Sequence, residues 1–176
     1  MKNVPERFTW AADLVAPLPA DHVLEIGCGA GLLIGLLATR LTTGELIALD
    51  KSGPMLQKAA QRNAAYITAG KVTLVTSEFA NYTTAHPFDR IVSFNVNFFW
   101  KGQQAELKVL RQLIKPKGKI FAFFDTPFNN TIPQLAAQIT QHLQQAGFGV
   151  LETVISQAPP RGSFCMIIQP AKKTLT

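Results

Sequence analysis

Cysteine is scarce in this chain of 176 residues: Cys28 and Cys165 are the only two. Neither belongs to a metal-ligand spacing, so no metal site is expected; two free thiols in a reducing cytoplasm are expected instead. Long apolar runs are missing too. No stretch approaches the roughly 18 residues a membrane span requires, and the opening "MKNVPERFTWAADLV" lacks the apolar core of a signal peptide. These absences predict a cytoplasmic protein with no membrane partner. There is no repeat, low-complexity tract or interdomain linker. Charged residues make up only 16% of the chain against 47% hydrophobic ones, a globular composition. A single domain over 1–176 is expected, with 1–20 as a short N-terminal lid or helix segment and 21–170 as core.

What is present alternates. Strand candidates fall at 22–26, 45–49, 71–76, 89–95 and 118–124, near-continuous apolar and β-branched runs that suit strands buried on both faces of a parallel sheet. Helical stretches lie between them. One is punctuated by Ser52 as N-cap, Pro54 in the first turn and Gly70 as stop. Others span 102–115 and 132–146. The first of these places Lys108, Arg111 and Lys115 on a solvated face opposite Leu107, Leu110 and Leu113. Near the end, "FGVLETVISQ" and "SFCMIIQP" are joined only by "APPRG". That connection is too short for a parallel crossover, so the two form an antiparallel hairpin. The result is a three-layer α/β domain whose mostly parallel sheet ends in one reversed strand.

Ligands of such sheets sit beyond the carboxyl ends of the strands. The loop after the first strand reads Gly27-Cys28-Gly29-Ala30-Gly31. This is G-x-G-x-G; the dinucleotide fingerprint would need its third glycine where Leu32 stands, so the spacing favours a ligand without a pyrophosphate. Asp50 ends the second strand, placed to accept from both hydroxyls of a ribose. It also opens the helix "DKSGP", and a helix N-terminal acid is the other reading. A glycine loop with an acidic strand tip points to an adenosine-type ligand.

With these residues in view, the chain resembles a class I (Rossmann-like) S-adenosylmethionine-dependent methyltransferase of the small, single-domain type. "VLEIGCGAG", "IALDKSGPML", "FDRIVSFNVNFFW", "LIKPKGKIFAFF" and the closing hairpin carry the resemblance over roughly residues 20 to 170. It implies a seven-stranded sheet and S-adenosyl-L-methionine as cofactor. Glu25 would face the methionine ammonium. Gly27, Cys28, Gly29 and Gly31 would form the loop against the methionine and ribose. Asp50 with Lys51 would stand at the ribose, and Met55 would pack on the adenine. Glu78 with Phe79 would stand at the adenine edge, where the family more often has Asp; a surface loop acid is the alternative for Glu78. Asn95 would lie near the transferable methyl.

The acceptor is expected at the same edge, among Asn97, Phe98, Phe99, Trp100, Phe128, Asn129, Asn130 and Arg161. A small molecule is the leading class. Asp125 is the candidate base if the acceptor must lose a proton; capping or bonding the "DTPFNN" turn is the other reading. His22 and His86 precede strands, and His142 lies late in a helix, which puts all three at the opposite edge. Arg7, Phe8 and Trp10 belong to an expected amphipathic lid helix. The formal net charge of +6 permits a nucleic-acid partner. Lys115, Lys117 and Lys119, however, cluster at the edge away from the ligand, and neither an "NPPY"-like motif nor an aromatic–basic stripe is present. Two rival functions remain: a non-catalytic methyltransferase-like subunit and a nicotinamide-dependent oxidoreductase.

Overall fold

A computed structural model describes residues 4–157 and 162–171. Seven strands form one sheet in the order β3-β2-β1-β4-β5-β7-β6. The strands are β1 (His22–Ile26), β2 (Glu45–Asp50), β3 (Val72–Thr76), β4 (Phe88–Phe94), β5 (Ile114–Phe124), β6 (Phe148–Ile155) and β7 (Phe164–Pro170). The pairs β3·β2, β2·β1, β1·β4 and β4·β5 are parallel, and β7 runs antiparallel to both β5 and β6. The reversed strand and the hairpin stand where the sequence puts them.

Alternation along each strand divides the core in two. Helices α1 (Glu6–Val15), α2 (Ile34–Ala38) and α3 (Gly53–Arg62) cover one face through Ala12, Val15, Leu37 and Leu56, joined by Tyr66 and Ile67 of α4 (Ala64–Thr68). Helices α5 (Phe98–Lys101), α6 (Gln104–Leu113) and α7 (Ile132–Gln145) cover the other through Phe99, Leu107, Leu110 and Leu143. Strand order reverses between β1 and β4, where a crevice opens at the carboxyl edge.

Two local expectations change, and a third narrows. The helix predicted from Ser52 to Gly70 breaks at Asn63, although Ser52 does cap it by accepting from the Met55 N–H at 3.4 Å. Asn63 is buried and turns its amide inward, donating to the carbonyls of Ala59 and Gly31, both at 3.0 Å. The helix predicted over 102–115 ends at Leu113, and Ile114 and Lys115 already belong to β5. A shift of register separates the pairs Phe88↔Ile114 and Arg90↔Lys119. Pro116 falls in that irregularity, where its missing N–H costs no ladder bond. Finally, the N-terminal segment expected as a lid or helix is a helix, α1, packed on the sheet. Ala11 and Val15 are fully buried, the Phe8 ring lies 5.1 Å from Phe94, and Trp10 meets Phe123 edge-on.

Candidate active site

At the carboxyl edge, the chain leaves β1 through a loop whose left-handed backbone favours glycine. Gly27, Gly29 and Gly31 all have positive φ, between 52° and 71°. The N–H groups of Gly27 and Cys28 both donate to the Leu49 carbonyl, which seats the loop on the end of β2. The glycines differ in what they admit. A Cβ on Gly29 would meet open space, whereas one on Gly31 would lie 2.6 Å from the Asn63 amide nitrogen and 2.9 Å from Ala59 Cβ. Gly31 therefore permits the close approach of α3. Cys28 turns into the core, and burial, with Glu25 and Asp50 nearby, raises its thiol well above the usual range.

A cavity of about 260 Å³ opens beside this loop. Gly27, Asp50 and Lys51 form one side, Glu78 and Phe79 a second, Asn95, Asn97 and Phe98 a third, and Glu106 of α6 closes it. Six of the eleven residues expected at the cofactor, with Asn97 and Phe98 of the acceptor set, thus line one cavity. Asp50 holds the loop: Oδ2 accepts from the Gly29 N–H at 2.8 Å and Oδ1 from the Ser52 N–H at 2.9 Å. Each oxygen retains a lone pair for a further donor. Lys51 and Glu78 pair at 3.7 Å, largely exposed. The rings of Phe79 and Phe98 stack with an interplanar angle of 11°.

Glu25 lies behind the loop and is 4% exposed. Its Oε2 is shielded from solvent and has no partner among the described residues. Burial, reinforced by Asp50, pushes its carboxyl up to about 8. An uncompensated buried carboxyl calls for a cationic donor.

Other expectations do not reach the cavity. Met55 is 40% exposed on the first turn of α3, outside the lining. Trp100 packs edge-on against Phe124. Phe128 projects into solvent at 67% exposure. Arg161 lies outside the described residues. His22 stacks on Phe88, and His142 Nδ1 bonds the Phe99 carbonyl, both away from the cavity.

Asp125 sits in a hydrogen-bond network of its own. Its Oδ1 accepts from Ser163 Oγ at 2.6 Å, while Oδ2 accepts from Asn95 Nδ2 at 3.0 Å and pairs with Arg7 at 3.3 Å. Its own N–H donates to Asn95 Oδ1. Asn95 takes φ 55°, a left-handed conformation that asparagine tolerates, to make this reciprocal pair. Held by three donors, the carboxylate ties β4, β5, β7 and α1 together. Glu106 and Asn63 were both missed. Asn63's partner Gly31 is 32 residues away in sequence, and Glu106 reads only as a charge on a helix.

The model of the methyltransferase domain matches residues 23–118, more than half of the chain. The chain belongs to the methyltransferase-domain family. This methyltransferase-family chain is 32% identical over 77% of its length to the trans-aconitate 2-methyltransferase of Streptomyces avermitilis. It spans about half, 54%, of that relative's length. It is 24% identical to YdaC, an uncharacterised methyltransferase of Bacillus subtilis, over 95% of this chain and 91% of the relative. Among solved structures, the CcbJ methyltransferase of Streptomyces caelestis superposes with a TM-score of 0.77 at 18% identity, covering 96% of this chain and 91% of that one. The oxidoreductase reading is thereby set aside.

Proposed function

We infer that the cavity binds S-adenosylmethionine and that the protein transfers its methyl group to a small-molecule acceptor. The observation that carries this reading is the Glu25 carboxyl, whose buried Oε2 has no partner among the described residues, behind a glycine loop whose other anchor is Asp50. The residues present fit the cofactor. Glu25 would receive its ammonium, the open lone pairs of Asp50 its ribose hydroxyls, and the Phe79 side of the cavity its base. When bound, S-adenosylmethionine supplies an electrophilic methyl on a sulfonium. The chain's own task is then to align the acceptor and keep water out. Asn97 lines the cavity and would orient that acceptor, while Asn95, paired with Asp125, would lie beside the methyl.

The engaged state of Asp125 bears on the acceptor class. An acceptor that is already anionic needs no base, and a carboxylic acid of the kind named for the Streptomyces relative meets that condition. The test is direct. Calorimetry is expected to show binding of S-adenosylhomocysteine and none of NAD. Incubation with S-adenosylmethionine and a panel of small carboxylic acids, including trans-aconitate, is expected to release S-adenosylhomocysteine. NAD binding without a response to S-adenosylhomocysteine would overturn the cofactor. Cofactor binding without turnover of any small molecule would favour the non-catalytic subunit, which the engaged Asp125 also suits.

A further inference from the structure

Glu106 is the one wall of the cavity that the family motifs do not supply. It sits in the first turn of α6, a ten-residue helix, with Leu107 and Leu110 beside it fully buried. The helix packs on the 3-10 turn Phe79–Asn81 that follows β3. Glu106 is thus fixed by the core, half-buried, and lines the same cavity as Phe79 and Phe98. It makes no hydrogen bond or ion pair among the described residues. Glu78, where the resemblance puts the adenine acid, stands differently: it is mostly exposed and faces Lys51 at 3.7 Å.

We propose that Glu106 reads the exocyclic amino group of the nucleoside base and sets the protein's preference for adenine. This rests on the cofactor reading above. The flat pair of Phe79 and Phe98 gives an aromatic base an apolar surface, but such a surface does not tell one purine from another. Discrimination needs a group of fixed hydrogen-bonding sense. An ionised carboxylate only accepts. A 6-amino group, which only donates, satisfies it. A purine lacking that group leaves the carboxylate unanswered and half-buried, which is the situation in which polar sites reject analogues most strongly.

The experiment compares two probes by calorimetry: S-adenosylhomocysteine, and its analogue with hydrogen in place of the 6-amino group. The wild-type protein is expected to prefer the amino compound by about tenfold to a hundredfold, the value of one hydrogen bond to a charged acceptor. Glu106→Ala is expected to bring the two affinities together, and Glu78→Ala to leave the preference in place. Thermal melting of each variant confirms that it is folded. A preference that survives Glu106→Ala, or that vanishes in Glu78→Ala, overturns the proposal. Equal binding of both probes by the wild-type protein also overturns it while leaving the cofactor reading intact. Binding of neither probe removes both.

Discussion

At the scale of the residue, Glu25 carries the clearest consequence. Its carboxyl is raised from an ordinary 4.5 to about 8 because the fold buries it and sets Asp50 near it. The folded chain therefore holds a proton there that the unfolded chain releases. Its contribution to stability is full below pH 4.5 and is lost as pH rises to about 8. Cofactor affinity runs the other way, since only the ionised form receives an ammonium. Calorimetry with S-adenosylhomocysteine is expected to show affinity rising with pH between 6 and 8, by up to about tenfold per unit. Glu25→Gln should flatten that dependence and melt higher than wild type at pH 9 relative to pH 6. A pH-independent wild-type affinity would show that Glu25 does not face the cofactor's ammonium. The cysteines give a second residue-level prediction. Both are buried, and burial raises both thiols. A thiol reagent is expected to modify neither in the native protein at neutral pH and both after denaturation; modification of native protein would mean that one of them opens readily.

At the scale of the element, the glycine loop separates binding from packing. Gly31→Ala meets both a positive φ and the Asn63 amide at 2.6 Å. A loss of about 3 kcal/mol or more is expected, seen as a lowered melting temperature. Gly29→Ala meets only its φ of 52°, so about 1–2 kcal/mol is expected. Its larger effect should be on cofactor affinity, since this glycine faces open space and donates to Asp50. Equal melting temperatures for the two variants would contradict this division. The same loop shows what could be read from the chain alone. G-x-G-x-G and Asp50 were legible because their spacing is local and their backbone demands are strict. The break at Asn63 was not, because the reason for it lies on a strand-to-helix loop far away in sequence. The start of β5 was misread for a related reason: Pro116 and Gly118 signal a helix stop, but the register irregularity opposite Phe88 lets a strand pass through them. Asp125 was visible as the carboxylate of its edge. Its capture by Arg7, Asn95 and Ser163 required three other elements to be in place first.

At the scale of the whole molecule, charge is divided between the two edges of the sheet. The chain carries a formal +6, yet the cavity at the carboxyl edge is walled by Asp50, Glu78 and Glu106 against Lys51. At the amino edge, Arg90, Lys115, Lys117 and Lys119 line a hollow of about 230 Å³ with Asp21 and Asp89. Two of these cations are answered: Arg90 by Asp21 at 2.5 Å and Lys115 by Asp89 at 2.7 Å. Burial raises the Asp89 carboxyl, but the hydrogen bonds from Lys115 and the His22 N–H outweigh it, and the net shift is downward. Lys117 and Lys119 make no hydrogen bond or ion pair among the described residues, and this leaves the amino edge attractive to polyanions. Parallel strands several residues long hold the two edges apart, farther than screening allows exposed charges to act at physiological salt, where the Debye length is about 8 Å. Any polyanion drawn to the protein is thus expected to sit away from the methyl donor. Heparin supplies the test. Its binding should weaken steeply as salt rises, while the dissociation constant of S-adenosylhomocysteine stays the same with and without saturating heparin. Lys117→Glu with Lys119→Glu should weaken heparin binding and leave the cofactor untouched. Competition between heparin and S-adenosylhomocysteine would mean that the basic surface reaches the cavity mouth and would overturn this division of charge.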